Sequence, residues 1–307
     1  MKIVILDLIG IPATAKHELK SLGADVYDDR PKNKAEIIDR IKDAEIITAN
    51  YIDISSEIIN AAPKLKYIIV PAVGFDWIDH EYAAERGIKV INCPTYVSLA
   101  VAEHALMLIF ALARQLLEAN SELRQGLWEP NKYAGFELDG KALGIVGYGS
   151  IGQRLEKLAT GLSMPVNHVN SQSSPEDLDR LLKESDIVCL CLPLTKKTRH
   201  IIDERRLNLM KKTAYLINVA RGAIVDQKAL AKSLKDKQIA GAGLDVFDGE
   251  PLTGIPNDEI IELANLPNVV ATPHTAWNTT GALERLGQEI VENIKACLKN
   301  KPTNVVN

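Results

Sequence analysis

A glycine-rich turn between a predicted strand and a predicted helix constrains this fold more than any other feature of the sequence. The segment "ALGIVGYGSIGQRL" places Gly147, Gly149 and Gly152 in the spacing G-x-G-x-x-G, after the apolar run 142–146 and at the start of the amphipathic stretch 151–158. In such a unit the first glycine permits a tight turn, the second lets the backbone approach a pyrophosphate, and the third lets the helix pack closely on the strand. The pattern alone is weak, but its place between a strand and a helix favours a dinucleotide-binding α/β unit over a plain turn.

The residues around this turn bear on the choice of cofactor. The amides of Ser150 and Ile151 open the helix, where a pyrophosphate binds favourably. About twenty residues further on, an acidic side chain usually holds the ribose hydroxyls of NAD, but that place holds Asn170 and Ser171. Without the carboxylate a 2′-phosphate is not repelled, yet no Arg or Lys lies between residues 157 and 180 to bind one. The sequence therefore predicts NAD(H) or NADP(H) and leaves the preference open.

Short β-branched runs alternate with amphipathic stretches along the chain, which predicts parallel sheets covered by helices on both faces. In the first hundred residues the predicted strands are Ile3–Leu6, Glu45–Thr48, Tyr67–Val70 and Lys89–Ile91, and the predicted helices are Ala13–Leu22, Lys34–Ile41, Ser55–Ala61 and Asp79–Arg86. After the glycine turn the predicted strands are Val166–Val169, Ile187–Leu190, Ala214–Asn218, Gly241–Asp245 and Val269–Ala271.

At 307 residues the chain is too long for one ordinary core, so two Rossmann-like, doubly wound α/β domains are expected. Residues 1–98 and 281–307 are predicted to form a substrate-binding (catalytic) domain. Residues 99–280 are predicted to form a dinucleotide-binding domain inserted into it. A long helix, Val97–Ala119, is apolar on all sides in its middle, which indicates burial between layers or against a second subunit.

Composition excludes several classes of function. A net charge of −4 gives no electrostatic footprint for nucleic acid or for an anionic membrane. The apolar run Ala105–Ala113 is far shorter than a bilayer. Cys189 and Cys191 are the only close pair of cysteines, with no second pair at metal-binding spacing. We therefore expect reduced thiols, no metal site and a cytoplasmic protein.

Three polar residues follow predicted strands in the second half of the chain: Arg221 in "VARG", Glu250 in "GLDVFDGEP" and His274 in "TPHTAW". Ligands bind at the carboxyl edge of an open parallel sheet, so we expect these side chains to meet there. A guanidinium holds a substrate carboxylate with two hydrogen bonds, and an imidazole supported by a carboxylate gives a proton to a carbonyl oxygen. The alternatives are a surface ion pair for Arg221 and a plain loop position for His274. Together, behind a dinucleotide turn, the three residues predict carbonyl reduction.

The same segments resemble the D-isomer-specific 2-hydroxyacid dehydrogenase family over nearly the whole chain. The matching motifs are "GIVGYGSIGQRL", "CLCLPLTKKTRHII", "LINVARGAIVDQKAL", "GAGLDVFDGEP" and "TPHTAW", in family order and spacing. The resemblance implies an enzyme that transfers a hydride between NAD(P) and a 2-oxo or D-2-hydroxy acid. It implies that Arg221 binds and polarises the 2-oxo acid, that Glu250 tunes His274, and that His274 is the acid/base.

The resemblance also implies roles for residues outside these three. Asp245 corresponds to an acid at the nicotinamide end of the cofactor, although a strand-end acid that caps backbone amides is a fair alternative. Further positions are implied to line the cofactor: Leu192, Pro193, Val219 and Ala220. In "VPAVGFDWID", the amides near Val73 and Gly74 are implied to bind the substrate carboxylate opposite Arg221.

Within the family, "HTAW" with Trp277 resembles the D-glycerate dehydrogenase and hydroxypyruvate or glyoxylate reductase branch. A D-lactate-type or other 2-oxo acid dehydrogenase remains open. So does a protein of another class, a dinucleotide-sensing corepressor, which shares the fold and can keep the same three residues. Candidates for shaping the pocket are Tyr51, Phe75 and Trp128. The family habit and the apolar helix lead us to expect a homodimer built through the cofactor-binding domains.

Overall fold

A computed structural model describes residues 1–7, 11–50, 52–251 and 254–307. The chain divides into two compact units: the N-terminal unit, Met1–Val97 with Asn278–Asn307, and the inserted unit, Ser98–Trp277. Each unit holds a parallel sheet accompanied by helices. This arrangement confirms the predicted α/β class with two Rossmann-like sheets.

The N-terminal unit is built on five short parallel strands. Its strands are β1 (Ile3–Ile5), β2 (Ala24–Val26), β3 (Ile46–Thr48), β4 (Tyr67–Ile69) and β5 (Lys89–Ile91). Its helices are α1 (Ala13–Ser21), α2 (Lys34–Ile41), α3 (Ser56–Asn60), α4 (His80–Glu85) and, from the end of the chain, α12 (Thr280–Leu298). The strands lie in the order β2-β1-β3-β4-β5. The sequence did not predict β2, since it is an edge strand of three residues with Asp25 exposed and no buried residue to produce a hydrophobic pattern.

The closing helix α12 buries one face in this unit. Leu286, Ile290 and Ile294 are at most 2% exposed, and an added Cβ on Gly287 would lie 2.6 Å from the Cβ of Ala15. The carboxylate of Glu289, also on α12, accepts a hydrogen bond from the Tyr96 amide at 3.1 Å. Burial raises the pKa of Glu289 above its ordinary value. The helix therefore holds the segment along which the chain leaves the N-terminal unit.

The inserted unit is built on six parallel strands. Its strands are β6 (Leu143–Val146), β7 (Val166–Val169), β8 (Ile187–Leu190), β9 (Tyr215–Asn218), β10 (Gly241–Leu244) and β11 (Val269–Ala271). Its helices are α5 (Ser98–Ala113), α6 (Leu116–Arg124), α7 (Ser150–Thr160), α8 (Pro175–Glu184), α9 (Glu204–Leu207), α10 (Gln227–Lys235) and α11 (Asp258–Ala264). The strands lie in the order β11-β10-β9-β8-β6-β7. Nearly every residue of β6, β8, β9 and β10 is buried, as a sheet covered on both faces requires.

The prediction of one continuous helix over Val97–Ala119 is wrong. Gln115 has left-handed backbone angles (φ 48°, ψ 40°) between α5 and α6, and the two helices are bent by 63°. The cause is a tertiary contact. The Phe136 amide donates to the carbonyl oxygen of Ala113 at 3.0 Å, and an added Cβ on Gly135 would lie only 2.2 Å from that same oxygen. The segment around residue 135 therefore closes the end of α5.

Burial of α5 is also partial. Ala105, Leu108 and Leu112 are buried, whereas Met107 and Phe110 are each 43% exposed. Among the described residues no single helix is long and apolar enough to cross a membrane, although α5 and α6 pass that test as a bent pair.

Candidate active site

The carboxyl ends of the six strands of the inserted unit lie on one edge, because all neighbouring strands are parallel. The glycine turn follows β6, Arg221 follows β9, Asp245 follows β10 and His274 follows β11. β7 lies on one side of β6 and β8 on the other. Ligands of open α/β sheets bind outside such a point of reversal, so the topology places the glycine turn where a dinucleotide is expected.

Two of the three glycines are required by the fold itself. Gly147 has a φ of +98°, and an added Cβ would lie 2.6 Å from the carbonyl oxygen of Cys191. An added Cβ on Gly152 would lie 2.5 Å from the carbonyl oxygen of Gly147. At Gly149, by contrast, an added Cβ meets no protein atom within 4 Å. Packing within the described residues therefore does not explain Gly149, and this open space at the start of α7 fits the close approach of a pyrophosphate that the sequence predicts.

The region after β7 contains no acid at the expected ribose position. Asn170 and Ser171 are exposed, and the side-chain oxygen of Asn170 accepts a hydrogen bond from the Gln172 amide at 2.9 Å. Beside this turn, the ring of Tyr148 stacks on His168 with centroids 3.5 Å apart. Leu192, after β8, packs partly buried against the core of the unit, whereas Pro193 is exposed.

A buried asparagine shapes the turn that carries Arg221. The side chain of Asn218, 1% exposed, donates to the carbonyl oxygen of Arg221 at 3.0 Å and accepts from the Ala220 amide at 3.1 Å. The guanidinium of Arg221 donates to the carbonyl oxygen of Ala220 at 2.8 Å. Val219 is buried and Ala220 half-buried. Sequence reasoning missed Asn218, because asparagine is common in turns and loops and no pattern distinguishes this one.

The loops after β9 and β10 are in close contact. An added Cβ on Gly222 would lie 1.9 Å from the carbonyl carbon of Phe247. The amide of Phe247 in turn donates to a carboxylate oxygen of Glu250 at 3.1 Å. The backbone next to Arg221 is therefore packed directly on the loop that holds Glu250.

His274 and Glu250 form the pair that the sequence predicts. Nδ1 of His274 lies 2.5 Å from a carboxylate oxygen of Glu250, and the two side chains are 22% and 30% exposed. His274 has a φ of +52°, a conformation unusual for a residue with a Cβ. Its amide donates to the carbonyl oxygens of Asp245 at 2.8 Å and Thr272 at 3.1 Å, which hold this strained backbone in place.

Asp245 caps this loop. Its side chain is 1% exposed and accepts from the amides of Thr275 at 2.8 Å and Ala276 at 3.0 Å. The hydroxyl of Thr272 donates to it at 2.6 Å. The alternative considered from sequence, an acid that caps backbone amides, therefore describes its contacts within the protein. Contact with a nicotinamide stays a prediction.

His104, on α5, joins the same cluster and was missed by sequence reasoning. Its Nε2 lies 2.9 Å from the hydroxyl oxygen of Thr272 and 3.3 Å from a carboxylate oxygen of Asp245. Burial raises the pKa of Asp245, but hydrogen bonds from His104, Thr272 and the two amides outweigh it and leave the pKa below its ordinary value. The cluster keeps a buried carboxylate ionised beneath the loop of His274.

Val73 and Gly74 lie in the N-terminal unit, after β4, at the carboxyl edge of its parallel sheet. Both are half-buried, and the side-chain amide of Asn92 donates to the carbonyl oxygen of Val73 at 2.8 Å. Phe75 packs partly buried against the core of this unit. Tyr51 lies outside the described residues, and Trp128 in the inserted unit is 78% exposed.

A Rossmann-type glycine turn and a histidine–glutamate pair on one sheet edge define a dinucleotide-dependent oxidoreductase. A family model for the D-isomer specific 2-hydroxyacid dehydrogenase NAD-binding domain matches residues 106–276. The chain belongs to the D-isomer-specific 2-hydroxyacid dehydrogenase family. As a member it is an NAD(P)-dependent dehydrogenase that acts on a CH–OH group.

Individual relatives agree with this assignment. The chain is 40% identical over 299 residues to a glyoxylate reductase of Thermococcus litoralis, and the matched region covers 91% of this chain and 88% of the relative. It is 37% identical over 319 residues to a glycerate dehydrogenase of Methylorubrum extorquens, and this match covers 99% of this chain and 98% of the relative. Its fold is similar to that of an acyclic imino acid reductase (Bsp5) solved with NADPH and D-Arg, with a TM-score of 0.91, 34% identity and complete coverage of both chains.

Proposed function

We propose that this enzyme reduces glyoxylate and hydroxypyruvate to the corresponding 2-hydroxy acids. The observation that carries the proposal is the 2.5 Å contact between His274 and Glu250 on the sheet edge that also holds Arg221 and the glycine turn. Similarity to a glyoxylate reductase and a glycerate dehydrogenase supports this choice of substrates. Trp277, which follows the histidine loop and is half-buried, belongs to the same sequence resemblance.

The residues of the site divide the reaction between them. Arg221 binds the carboxylate of the 2-oxo acid through two charge-assisted hydrogen bonds and draws electron density from the neighbouring carbonyl. A reduced nicotinamide, when bound, supplies the hydride to the carbonyl carbon. Because Nδ1 of His274 faces Glu250, Nε2 is the nitrogen that donates a proton to the carbonyl oxygen. Glu250 holds the ring and stabilises its protonated form until that transfer.

The cofactor-binding residues that we propose follow the strands β6 to β10. The amides of Ser150 and Ile151 would hold the pyrophosphate, and Asn170 and Ser171 would meet the adenosine ribose. Leu192, Pro193, Val219 and Ala220 would line the cofactor, with Asp245 at its nicotinamide end. In the N-terminal unit, we propose that the amides of Val73 and Gly74 take part in binding the substrate.

Initial-rate kinetics test this function. Glyoxylate, hydroxypyruvate and pyruvate are each assayed with NADH and with NADPH, for the wild type, Arg221→Ala and Arg180→Ala. Arg180 is a matched control because it is an exposed arginine of the same unit that pairs with Asp177. We expect Arg221→Ala to raise KM by about a hundredfold, since two charge-assisted hydrogen bonds are lost, and Arg180→Ala to behave as wild type.

The alternatives give different results in this assay. A clear preference for pyruvate would replace the proposed substrates by a D-lactate-type reaction. Reduction of a 2-oxo acid only in the presence of ammonium would indicate an imino acid substrate. Dinucleotide binding without turnover of any of these compounds would favour the corepressor.

We also propose that the protein forms a homodimer through the inserted unit. We propose further that it works in the reducing cytoplasm. Seven of the eleven exposed large apolar side chains among the described residues fall between residues 107 and 128, namely Met107, Phe110, Leu116, Leu117, Leu123, Leu127 and Trp128. A patch of this kind favours a second copy as its occupant. The four free cysteines are consistent with a reducing compartment.

Light scattering after gel filtration tests the dimer. We expect twice the 33.7 kDa of the chain for the wild type and one chain mass for Leu123→Glu. The control is Ile255→Glu, since Ile255 is 87% exposed outside the patch. A wild type that elutes as a monomer at micromolar concentration would contradict the proposal.

A further inference from the structure

Two thiols lie side by side at the end of β8. The sulfur atoms of Cys189 and Cys191 are 3.7 Å apart, because residues two apart in a strand project from the same face. Cys189 is fully buried, whereas Cys191 is half-buried. Among the four free cysteines these are the only close pair in sequence, and neither thiol takes part in the reaction described above.

The spacing of the two residues permits a bond between their sulfur atoms at the cost of strain. Residues two apart in an extended strand are separated by about 6.6 Å between Cα atoms, near the upper limit of about 6.8 Å for a disulfide. Their parallel Cβ atoms are about as far apart, whereas a disulfide needs about 3.5–4.5 Å between Cβ atoms. Closing the bond therefore requires the backbone at Cys191, just past the end of β8, to bend by about 2 Å towards Cys189. A strained disulfide is easily reduced, which is typical of reversible rather than structural bonds.

We propose that Cys189 and Cys191 are a redox modification site that forms a reversible disulfide with peroxide. The Cys191 thiolate attacks one oxygen of hydrogen peroxide, breaks the O–O bond and becomes a sulfenic acid, while the other oxygen leaves as water after taking up a proton. The Cys189 sulfur then attacks the Cys191 sulfur and expels the second oxygen as water. Two thiols are oxidised and one peroxide is reduced to two waters.

The surroundings decide which thiol reacts first. The hydrogen bond with Cys191, together with burial, raises the pKa of Cys189 well above that of a free thiol. Cys189 is fully buried whereas Cys191 is half-buried, so peroxide reaches the Cys191 sulfur first. Cys189, whose sulfur lies 3.7 Å away, then completes the bond. Cys93 and Cys297 are buried and each lies far from this pair in sequence.

The disulfide has a direct mechanical link to the glycine turn. The Cys191 amide donates to the carbonyl oxygen of Val146 at 2.7 Å. An added Cβ on Gly147 would lie 2.6 Å from the Cys191 carbonyl oxygen. Pulling Cys191 towards Cys189 displaces the backbone against which Gly147 is packed. Resting on the proposed dinucleotide-binding function, we infer that the oxidised protein binds the cofactor at least about tenfold more weakly.

Thiol chemistry and cofactor binding are measured separately. Full-length wild type, Cys191→Ser and Cys297→Ser are treated with hydrogen peroxide, blocked with an alkylating reagent and analysed by intact and peptide mass spectrometry. NADH and NADPH binding is followed by fluorescence titration before oxidation, after oxidation and after dithiothreitol. We expect a bond within the peptide containing residues 189–191 in the wild type and in Cys297→Ser, and none in Cys191→Ser.

The two readouts separate failure of this inference from failure of the enzyme assignment, because neither requires turnover. A disulfide with loss of dinucleotide binding that dithiothreitol restores supports the proposal. Unchanged thiols, sulfinic acid on Cys191 with a free Cys189, or a bond between chains would overturn it. An intramolecular bond with unchanged dinucleotide binding would overturn its link to the glycine turn.

Discussion

Replacing Gly149 by alanine should leave folding almost unchanged while weakening dinucleotide binding. Gly149 has φ −85° and ψ −161°, which alanine adopts without strain, and the added methyl group meets no protein atom within 4 Å. Alanine reduces the entropy of the unfolded chain, which stabilises by about 0.4–1 kcal/mol. At the N-cap of α7, however, alanine makes the folded state about 0.5 kcal/mol less stable than glycine does. The two effects nearly cancel in the free energy of unfolding.

The effect on binding is expected to be larger. If the pyrophosphate approaches the backbone at Gly149, the methyl group occupies part of its space. Overpacking of this size costs about 1–3 kcal/mol, which weakens the dinucleotide Kd by about 5–150-fold. Gly152→Ala is the comparison, since its methyl group lies 2.5 Å from a backbone oxygen. Even with alanine's better helix propensity, we expect that variant to lose about 1–2 kcal/mol of stability.

Thermal unfolding and NADH fluorescence titration, run on both variants, distinguish the two roles. Gly149→Ala should keep the wild-type Tm and lose affinity, whereas Gly152→Ala should melt several degrees lower. Each kcal/mol moves Tm by about 2–4 °C for a unit of this size. If Gly149→Ala binds NADH and NADPH as tightly as the wild type, the glycine turn is not the pyrophosphate site. If Gly149→Ala melts at as low a temperature as Gly152→Ala, the added methyl group at residue 149 does not lie in open space.

Two further changes test the histidine pair and the acid stability of the inserted unit. Glu250→Gln should lower kcat about a hundredfold with little change in KM, because a neutral amide replaces the carboxylate that faces Nδ1 of His274 and supports proton donation; an unchanged kcat would contradict this. A hydrogen bond from Arg205, with a second from Arg206, lowers the pKa of Asp179 to about 2. This carboxylate stabilises the fold above about pH 4, and the contribution is lost as the pH falls towards 2. In urea unfolding, Asp179→Asn should be about 1–2 kcal/mol less stable at neutral pH and show a flatter decline below pH 4; parallel curves would refute it.

The sheets and the glycine turn were predictable because their signals are local. A β-branched run such as Ile187–Leu190 is recognisable by itself, and the G-x-G-x-x-G spacing reports directly on a strand–helix turn. Arg221 and His274 could be placed on a common edge because parallel strands end on the same side. The fold class and the 2.5 Å contact between His274 and Glu250 follow the sequence prediction for these reasons.

What could not be predicted depends on contacts between distant segments. The break at Gln115 has no Gly or Pro to announce it, since it is imposed by the segment around Gly135. His104 lies on a helix more than a hundred residues from Thr272 and Asp245, and no pattern in the sequence connects them. The capping contacts of Asp245 likewise become visible only when the loop after β11 is placed against the end of β10.

The close approach at Gly222 has a consequence for engineering this enzyme. Any side chain at that position would overlap the backbone of Phe247, with only 1.9 Å available to its first carbon. The loops of Arg221 and Glu250 are thus packed as one block rather than as independent parts. Libraries that seek new substrates should leave Gly222 unchanged and exchange both loops together, whereas randomising either loop alone will mostly yield proteins that fold poorly.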